Sequence, residues 1–224
     1  MKIYVVAAIC SSLALSGCAG ANSYLAAQNT TVEIYHIFDI KTAASTAVIA
    51  KAATDGLSQN TNGIQSAMPL QLDQGVPLTP GRFKLENMAA AFGGAGGGLL
   101  KLASMQQGGG LAMKVANCEG AVWNARAQRT ISGSSNLTLY SCLYRYKSGY
   151  NLDIYAVFNK QEGGLYQISQ TVANSIVGTP EQWVNKTIMD TVRSIERVPG
   201  AKVVHIEGQP ELSDLPALDK ITRQ

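Results

Sequence analysis

Residues whose chemistry suits catalysis or metal binding are sparse in this chain. The two histidines, His36 and His205, each lie in an alternating segment, and neither belongs to a His-x-x-x-His or His-Glu-x-x-His pattern. The two segments could meet across a sheet, but a structural role is favoured over a metal site. No Gly-x-Ser-x-Gly marks a nucleophile, and paired carboxylates for glycoside chemistry are recognised only by their separation in space. We therefore predict no catalytic residue, no metal site and no cofactor, and expect a protein that is not an enzyme.

The glycine-rich segment 93–110 does not have the pattern of a phosphate-binding loop. Gly93 and Gly98 have the required separation, but leucines stand where Lys-Ser/Thr is needed. Glycine runs resist ordering because they lose the most backbone entropy, so a mobile surface loop is favoured. The alternative is an apolar contact with lipid or a partner, made by Leu99, Leu100, Leu102 and Met105.

The first residues have the order of a secretory signal peptide. Lys2 supplies a positive charge, an apolar run follows from Ile3 to Leu15, and small residues lead to Cys18. The apolar run is shorter than the roughly 20 residues that a membrane-spanning helix needs. We therefore predict a removable signal peptide at residues 1–17.

The end of this signal, Leu15-Ser16-Gly17-Cys18, resembles the lipobox of bacterial lipoproteins. The resemblance implies cleavage before Cys18 by signal peptidase II, a diacylglycerol on the Cys18 thiol and, in many bacteria, an acylated amino group. Two or three acyl chains give stable anchoring, whereas one chain binds only marginally. Ala19 stands where an Asp often marks inner-membrane retention, so the resemblance implies an outer-membrane protein that faces the periplasm. The membrane is therefore the first predicted partner.

Two further cysteines remain after export, since Cys10 leaves with the signal and Cys18 carries lipid. In an exported chain we interpret Cys118 and Cys142 as one disulfide. Free buried thiols are the alternative, and a redox pair is disfavoured because no Cys-x-x-Cys spacing is present.

The length and composition of the chain of 224 residues suit one globular domain or two small ones. Hydrophobic residues make up 46% of the chain, which suffices for a core, and the formal net charge of +3 is spread too evenly to indicate nucleic-acid binding. We predict a lipidated tether at residues 18–30, a single domain at residues 31–208 and a surface tail at residues 209–224.

The hydrophobic periodicity predicts an α+β fold, with an antiparallel sheet packed by two helices. The predicted strands are residues 31–40, 121–131, 136–147, 150–160, 165–173 and 202–207, and the predicted helices are residues 43–57 and 180–197. Residues 64–72 are predicted as a further short strand and residues 84–92 as a short helix. On the first long helix, the predicted apolar stripe contains Ala44, Val48, Ala52 and Leu57.

The strands around residue 148 have one aliphatic face and one face rich in tyrosine. A tight turn at Ser148-Gly149 would pair Leu143 with Ile154 and place Tyr155 opposite Cys142, and it would also pair Leu139 with Phe158. The tyrosine-rich face is either a covered amphipathic face or a recognition surface. The residues of this possible recognition surface are Tyr140, Tyr144, Tyr146 and Tyr155.

Two functions remain open. The first is a lipid-anchored envelope protein whose domain contacts another envelope protein or the cell wall without catalysis. The second is a carrier of a small apolar or amphiphilic ligand, which would need an apolar cavity between the sheet and the helix face from Val184 to Ile195. The first is favoured because the pattern shows no surplus of apolar lining.

Overall fold

The computed structural model describes residues 28–61, 63–70, 75–87, 114–131, 135–162 and 179–211. The chain divides into two compact units, one of residues 1–30 and 160–177 and the other of residues 31–159 and 178–224. In the first unit, residues 28–30 and 160–162 are described, and they are the ends of two strands. The fold and the site described below belong to the second unit.

The described residues form an α+β fold with antiparallel strand pairs, as the sequence predicts. The strands are β1 (Gln28–Lys41), β2 (Gly63–Ala67), β3 (Lys84–Asn87), β4 (Lys114–Asn117), β5 (Trp123–Ile131), β6 (Ser135–Tyr146), β7 (Gly149–Glu162) and β8 (Lys202–Gln209). The helices are α1 (Thr46–Ser58) and α2 (Pro180–Glu196). Six strands form one sheet in the order β2-β5-β6-β7-β1-β8, and β3 and β4 form a second, two-stranded sheet.

One face of the large sheet and the two helices form the main hydrophobic core. The aliphatic side chains that alternate along β6 and β7 are buried there, among them Leu139, Leu143 and Ile154. Helix α2 contributes the stripe Val184, Ile188, Val192 and Ile195, and all four side chains are buried. Burial of each large aliphatic side chain stabilises the fold by about 1.5–3 kcal/mol, which explains why this face determines the packing.

The start of α2 is fixed by a capping box. The Thr179 hydroxyl accepts a hydrogen bond from the Gln182 backbone N–H at 3.2 Å, and the Gln182 side-chain oxygen accepts one from the Thr179 N–H at 2.9 Å. Pro180 follows the cap at a position where its missing N–H costs nothing. Within the described part of the chain, no helix is both long enough and apolar enough to cross a membrane.

The register of the β6–β7 hairpin differs from the prediction by two residues. Lys147 and Ser148 form the turn, and Tyr146 pairs with Gly149, so Leu143 lies opposite Leu152, Leu139 opposite Ala156 and Tyr155 opposite Tyr140. Gly149 is needed as the first residue of β7, because a Cβ there would lie 2.0 Å from the Ile40 carbonyl oxygen and φ is 146°. A shift of two residues keeps every side chain on its predicted face.

The helix predicted at residues 84–92 is wrong over its described part. Residues Lys84–Asn87 are strand β3, which pairs antiparallel with β4. The backbone of β3 forms its hydrogen bonds with β4, from Lys84 opposite Asn117 to Asn87 opposite Lys114. A partner that distant in sequence cannot be inferred from the local hydrophobic periodicity. Residues 88–92 and the predicted strand 165–173 lie outside the described residues.

Candidate binding site

The tyrosine face, defined as the side of β6 and β7 that carries Tyr140, Tyr144, Tyr146 and Tyr155, is largely covered. Tyr144 and Tyr155 are each 1% exposed, Tyr146 is buried and Tyr140 is half-buried. The segment 75–83 lies over this face, with Gly81 against the Tyr144 ring and the Phe83 ring centroid 5.9 Å from that of Tyr155. Three of the four tyrosines are therefore buried, as expected for a covered amphipathic face. Recognition of a partner through this face stays a prediction.

The hydroxyl groups of the buried tyrosines differ in their partners. Tyr146 donates a hydrogen bond to Asp39 Oδ1 at 2.5 Å and accepts one from Lys41 Nζ. The Tyr144 hydroxyl is buried without a hydrogen-bond partner among the described residues, whereas the Tyr155 hydroxyl is close enough to the Glu33 carboxylate for that group to add to the effect of burial in raising its pKa. Burial raises the pKa of both phenols, so they stay neutral and apolar in character.

Asp153 fixes the covering segment to the large sheet. It is buried opposite Cys142, and its Oδ2 accepts a hydrogen bond from the Phe83 backbone N–H at 3.0 Å. Its Oδ1 accepts a second hydrogen bond from the Asn151 amide at 3.2 Å. Burial raises the pKa of Asp153 to about 6, although these two hydrogen bonds and the charge of Arg82 act in the opposite direction.

A disulfide joins Cys118 to Cys142, as the sequence predicts. The Cα atoms are 5.4 Å apart, and the bond ties the residue after β4 to the centre of β6. An ion pair between Lys114 and Glu33, with a distance of 3.0 Å, also links β4 to β1 of the large sheet. The small sheet is thus held against the tyrosine face at both ends of β4.

An open cleft of about 390 Å³ lies between β4 and the edge of the large sheet. Its floor is formed by β2 and β5, its wall by β4, and Tyr140 of β6 also belongs to the lining. Gln65 pairs with Arg126 and Arg126 with Tyr140, so these side chains form one cross-strand row over three strands. The residues that line the cleft are Gln65, Ser66, Ala67, Ala116, Asn117, Cys118, Asn124, Ala125, Arg126 and Tyr140.

Arg126 is the charged group of the cleft. Its guanidinium carbon lies 5.9 Å from the centroid of the Tyr140 ring, within the range of a cation–π contact. The Tyr140 ring stacks in turn on Tyr155, with a centroid distance of 6.2 Å. Burial raises the pKa of Tyr140 while the charge of Arg126 lowers it, and the net shift is upward. The guanidinium is therefore held over a neutral ring at the mouth of the cleft.

The two histidines meet, which the sequence left open. His36 Nδ1 lies 3.1 Å from His205 Nε2, so one ring nitrogen donates a hydrogen bond and the other accepts it. Burial, with a smaller contribution from His205, lowers the pKa of His36 to about 4, and burial also lowers the pKa of His205. Among the described residues, no third His, Cys, Asp or Glu joins them in a group that could hold a metal ion.

Several predicted site residues lie outside the described part of the chain. These are the lipidation site Cys18 and the apolar loop residues Leu99, Leu100, Leu102 and Met105. The sequence analysis did not single out Arg126, Gln65 and Asn124. Each is a polar residue at an alternate position of a strand, which is common in any half-exposed sheet and forms no motif. The pairing of Arg126 with Tyr140 depends on the β5–β6 register, which the sequence alone does not determine.

In comparisons with known proteins, no family model matches the chain, and no curated protein matches it.

Proposed function

We propose that this chain is a lipoprotein of the bacterial envelope, anchored to the outer membrane through lipid on Cys18, whose α+β domain faces the periplasm and acts by binding. The observation that carries the proposal is the disulfide between Cys118 and Cys142, in a chain whose first residues resemble a lipoprotein signal. Disulfides persist in oxidising compartments such as the bacterial periplasm and are rare in the cytosol. The signal and the bond thus support the same compartment.

The cleft beside Arg126 supports a binding role. It combines one cation, side-chain amides and a half-buried aromatic residue, a set that suits recognition of a polar partner. The disulfide ties the end of its wall to β6, the strand that carries Tyr140, so its shape is built into the fold. Another envelope protein or a component of the cell wall is the proposed partner.

The carrier function remains the second candidate, and the core gives it less support. The side chains that would wall an apolar cavity, Leu139, Leu143, Ile154 and Phe158, are buried in one cluster with helix α2. If the protein is a carrier, native mass spectrometry of the purified protein should detect a bound apolar ligand as an added mass.

Detergent partition of the full-length protein, expressed in bacteria, tests the anchor. We expect the wild type to enter the detergent phase and to incorporate labelled palmitate, and Cys18→Ala to lose both properties, because the thiol is the acceptor of the diacylglycerol. Cys10→Ala is the matched control, since Cys10 lies within the removed signal and should not change partition. An unlabelled wild type in the aqueous phase would overturn the proposal.

A further inference from the structure

We propose that the cleft beside Arg126 binds the C-terminal carboxylate of a short peptide, with the Arg126 guanidinium as the partner of the carboxylate. This inference deepens the proposed binding role, on which it rests, by naming the chemistry of the ligand. Three features of the described residues carry it: an uncommitted cation, an aromatic support for that cation, and amide groups beside it.

Arg126 forms no ion pair with the described residues, and its charge contacts only the Tyr140 ring among them. The side chain is exposed, and no carboxylate of a described residue lies within 4.0 Å of it. The other cations near this face are committed, since Arg82 pairs with Glu207 at 2.5 Å and Lys114 with Glu33 at 3.0 Å. A guanidinium presents a planar set of N–H donors that matches a carboxylate in two parallel hydrogen bonds.

The Tyr140 ring holds this guanidinium in place before a ligand arrives. Arg126 and Tyr155 flank Tyr140 from neighbouring strands, with Arg126 over the ring and Tyr155 stacked on it. A pre-oriented side chain loses less conformational entropy on binding. A guanidinium held beside the ring favours a ligand with a carboxylate over a neutral saccharide, which offers no charge to pair with it.

Side-chain amides lie next to the cation. Gln65 pairs with Arg126 across β2 and β5, and Asn124 lies two residues before it on the same side of β5. Both amides line the cleft, and amides both donate and accept hydrogen bonds, as peptide groups do. The volume of about 390 Å³ lies within the range of roughly 300–1,000 Å³ that is usual for small-ligand sites.

Isothermal titration of the full-length protein in detergent micelles tests the proposal. The probe is N-acetyl-Ala-Ala-Ala with a free carboxylate, compared with the same peptide as its C-terminal amide. We expect the wild type to bind the carboxylate form, and Arg126→Gln to weaken this binding by 10-fold or more, equivalent to about 1.4 kcal/mol. Arg126→Lys keeps the charge but not the paired donors, so we expect an intermediate loss.

The matched control is Arg145→Gln, which removes an exposed arginine of β6 that does not line the cleft. It should bind the carboxylate peptide as the wild type does. The proposal is overturned if the wild type does not bind the carboxylate peptide with a Kd below about 1 mM, if the amide form binds equally well, or if Arg126→Gln binds unchanged.

The peptide titration and the detergent partition test the two proposals independently of each other. Arg126→Gln should partition into detergent as the wild type does, so loss of peptide binding would leave the lipoprotein proposal intact. Conversely, unchanged partition of Cys18→Ala would overturn the anchor while the peptide titration could still succeed.

Discussion

At the scale of single residues, the tyrosine face shows why residue type alone does not identify a recognition surface. Alternation along β6 correctly places the tyrosines on one face, and the register shift of two residues leaves that assignment intact. Part of its cover is the segment 75–83, whose prolines and glycines carry no periodic signal. The sequence therefore predicts the composition of the face and leaves open whether it is covered.

The two buried phenols Tyr144 and Tyr146 should respond oppositely to loss of the hydroxyl group. Tyr146→Phe removes hydrogen bonds to Asp39 and Lys41, and we expect the free energy of unfolding to fall by about 1.5–3 kcal/mol. Tyr144→Phe removes a hydroxyl that has no partner among the described residues, so we expect no loss or a gain of about 1 kcal/mol. Urea unfolding measures both variants, and equal losses would contradict this assignment.

Asp153 should make stability depend on pH. Its pKa rises from 3.8 to about 6 in the folded protein, so the folded state binds more protons than the unfolded state between these values. The contribution of Asp153 to stability is therefore full below about pH 4 and is lost as pH rises through 6. We expect Asp153→Asn, which carries no charge, to be more stable than the wild type by up to about 3 kcal/mol above pH 6.5.

The difference between Asp153→Asn and the wild type should vanish as pH falls to 4. His36 titrates in the same window with the opposite sign, because its folded pKa lies below its ordinary value of 6.5. This contribution is present in both proteins and cancels from the difference. Urea unfolding at a series of pH values measures it, and a difference that is constant with pH would contradict the buried position of Asp153.

At the scale of elements, the long helices and strands are the part of the fold that the sequence predicts well. Helix α2, predicted at residues 180–197, is found at Pro180–Glu196, and its predicted apolar face from Val184 to Ile195 is buried. Helix α1 is found, but Val48 of its predicted stripe is 45% exposed, and Ile49 and Ala53 are buried instead. Alanine-rich helices give a weak apolar contrast, so several stripes fit the same segment almost equally well.

The crossing of the two helices depends on Gly56. A Cβ at this position would lie 2.5 Å from the Thr191 Cα and 2.8 Å from the Asp190 carbonyl oxygen, so the two backbones are in direct contact. We expect Gly56→Ala to lower the free energy of unfolding by about 1–3 kcal/mol, despite the better helix propensity of alanine. Gly63→Ala is the matched control.

A Cβ on Gly63 would meet no atom within 4 Å, so we expect its replacement to change stability by less than about 1 kcal/mol. Urea unfolding of both variants decides the point. A Gly56→Ala variant as stable as Gly63→Ala would show that the helices do not approach as closely as described.

At the scale of the whole molecule, local pattern predicts the fold class and the disulfide but not the site. The cleft exists because β2, which is distant in sequence, pairs with β5 at the sheet edge, and because a disulfide across a separation of 24 residues holds the end of β4 against β6. Arg126 takes its role from Tyr140 on the next strand, which follows from register and not from any motif. The predicted lipobox, by contrast, is a contiguous stretch of four residues, so the resemblance can be proposed without a structure.

The mass of the mature protein, purified from the membrane fraction in detergent and measured under denaturing conditions, tests the central claim most directly. We predict a chain that begins at Cys18, carries the mass of a diacylglycerol with or without a further acyl chain, and lacks the two thiol hydrogens of Cys118 and Cys142. Reduction should restore those hydrogens and leave the lipid mass unchanged. A chain that still begins at Met1, or one that is cut elsewhere and carries no lipid, would contradict the account.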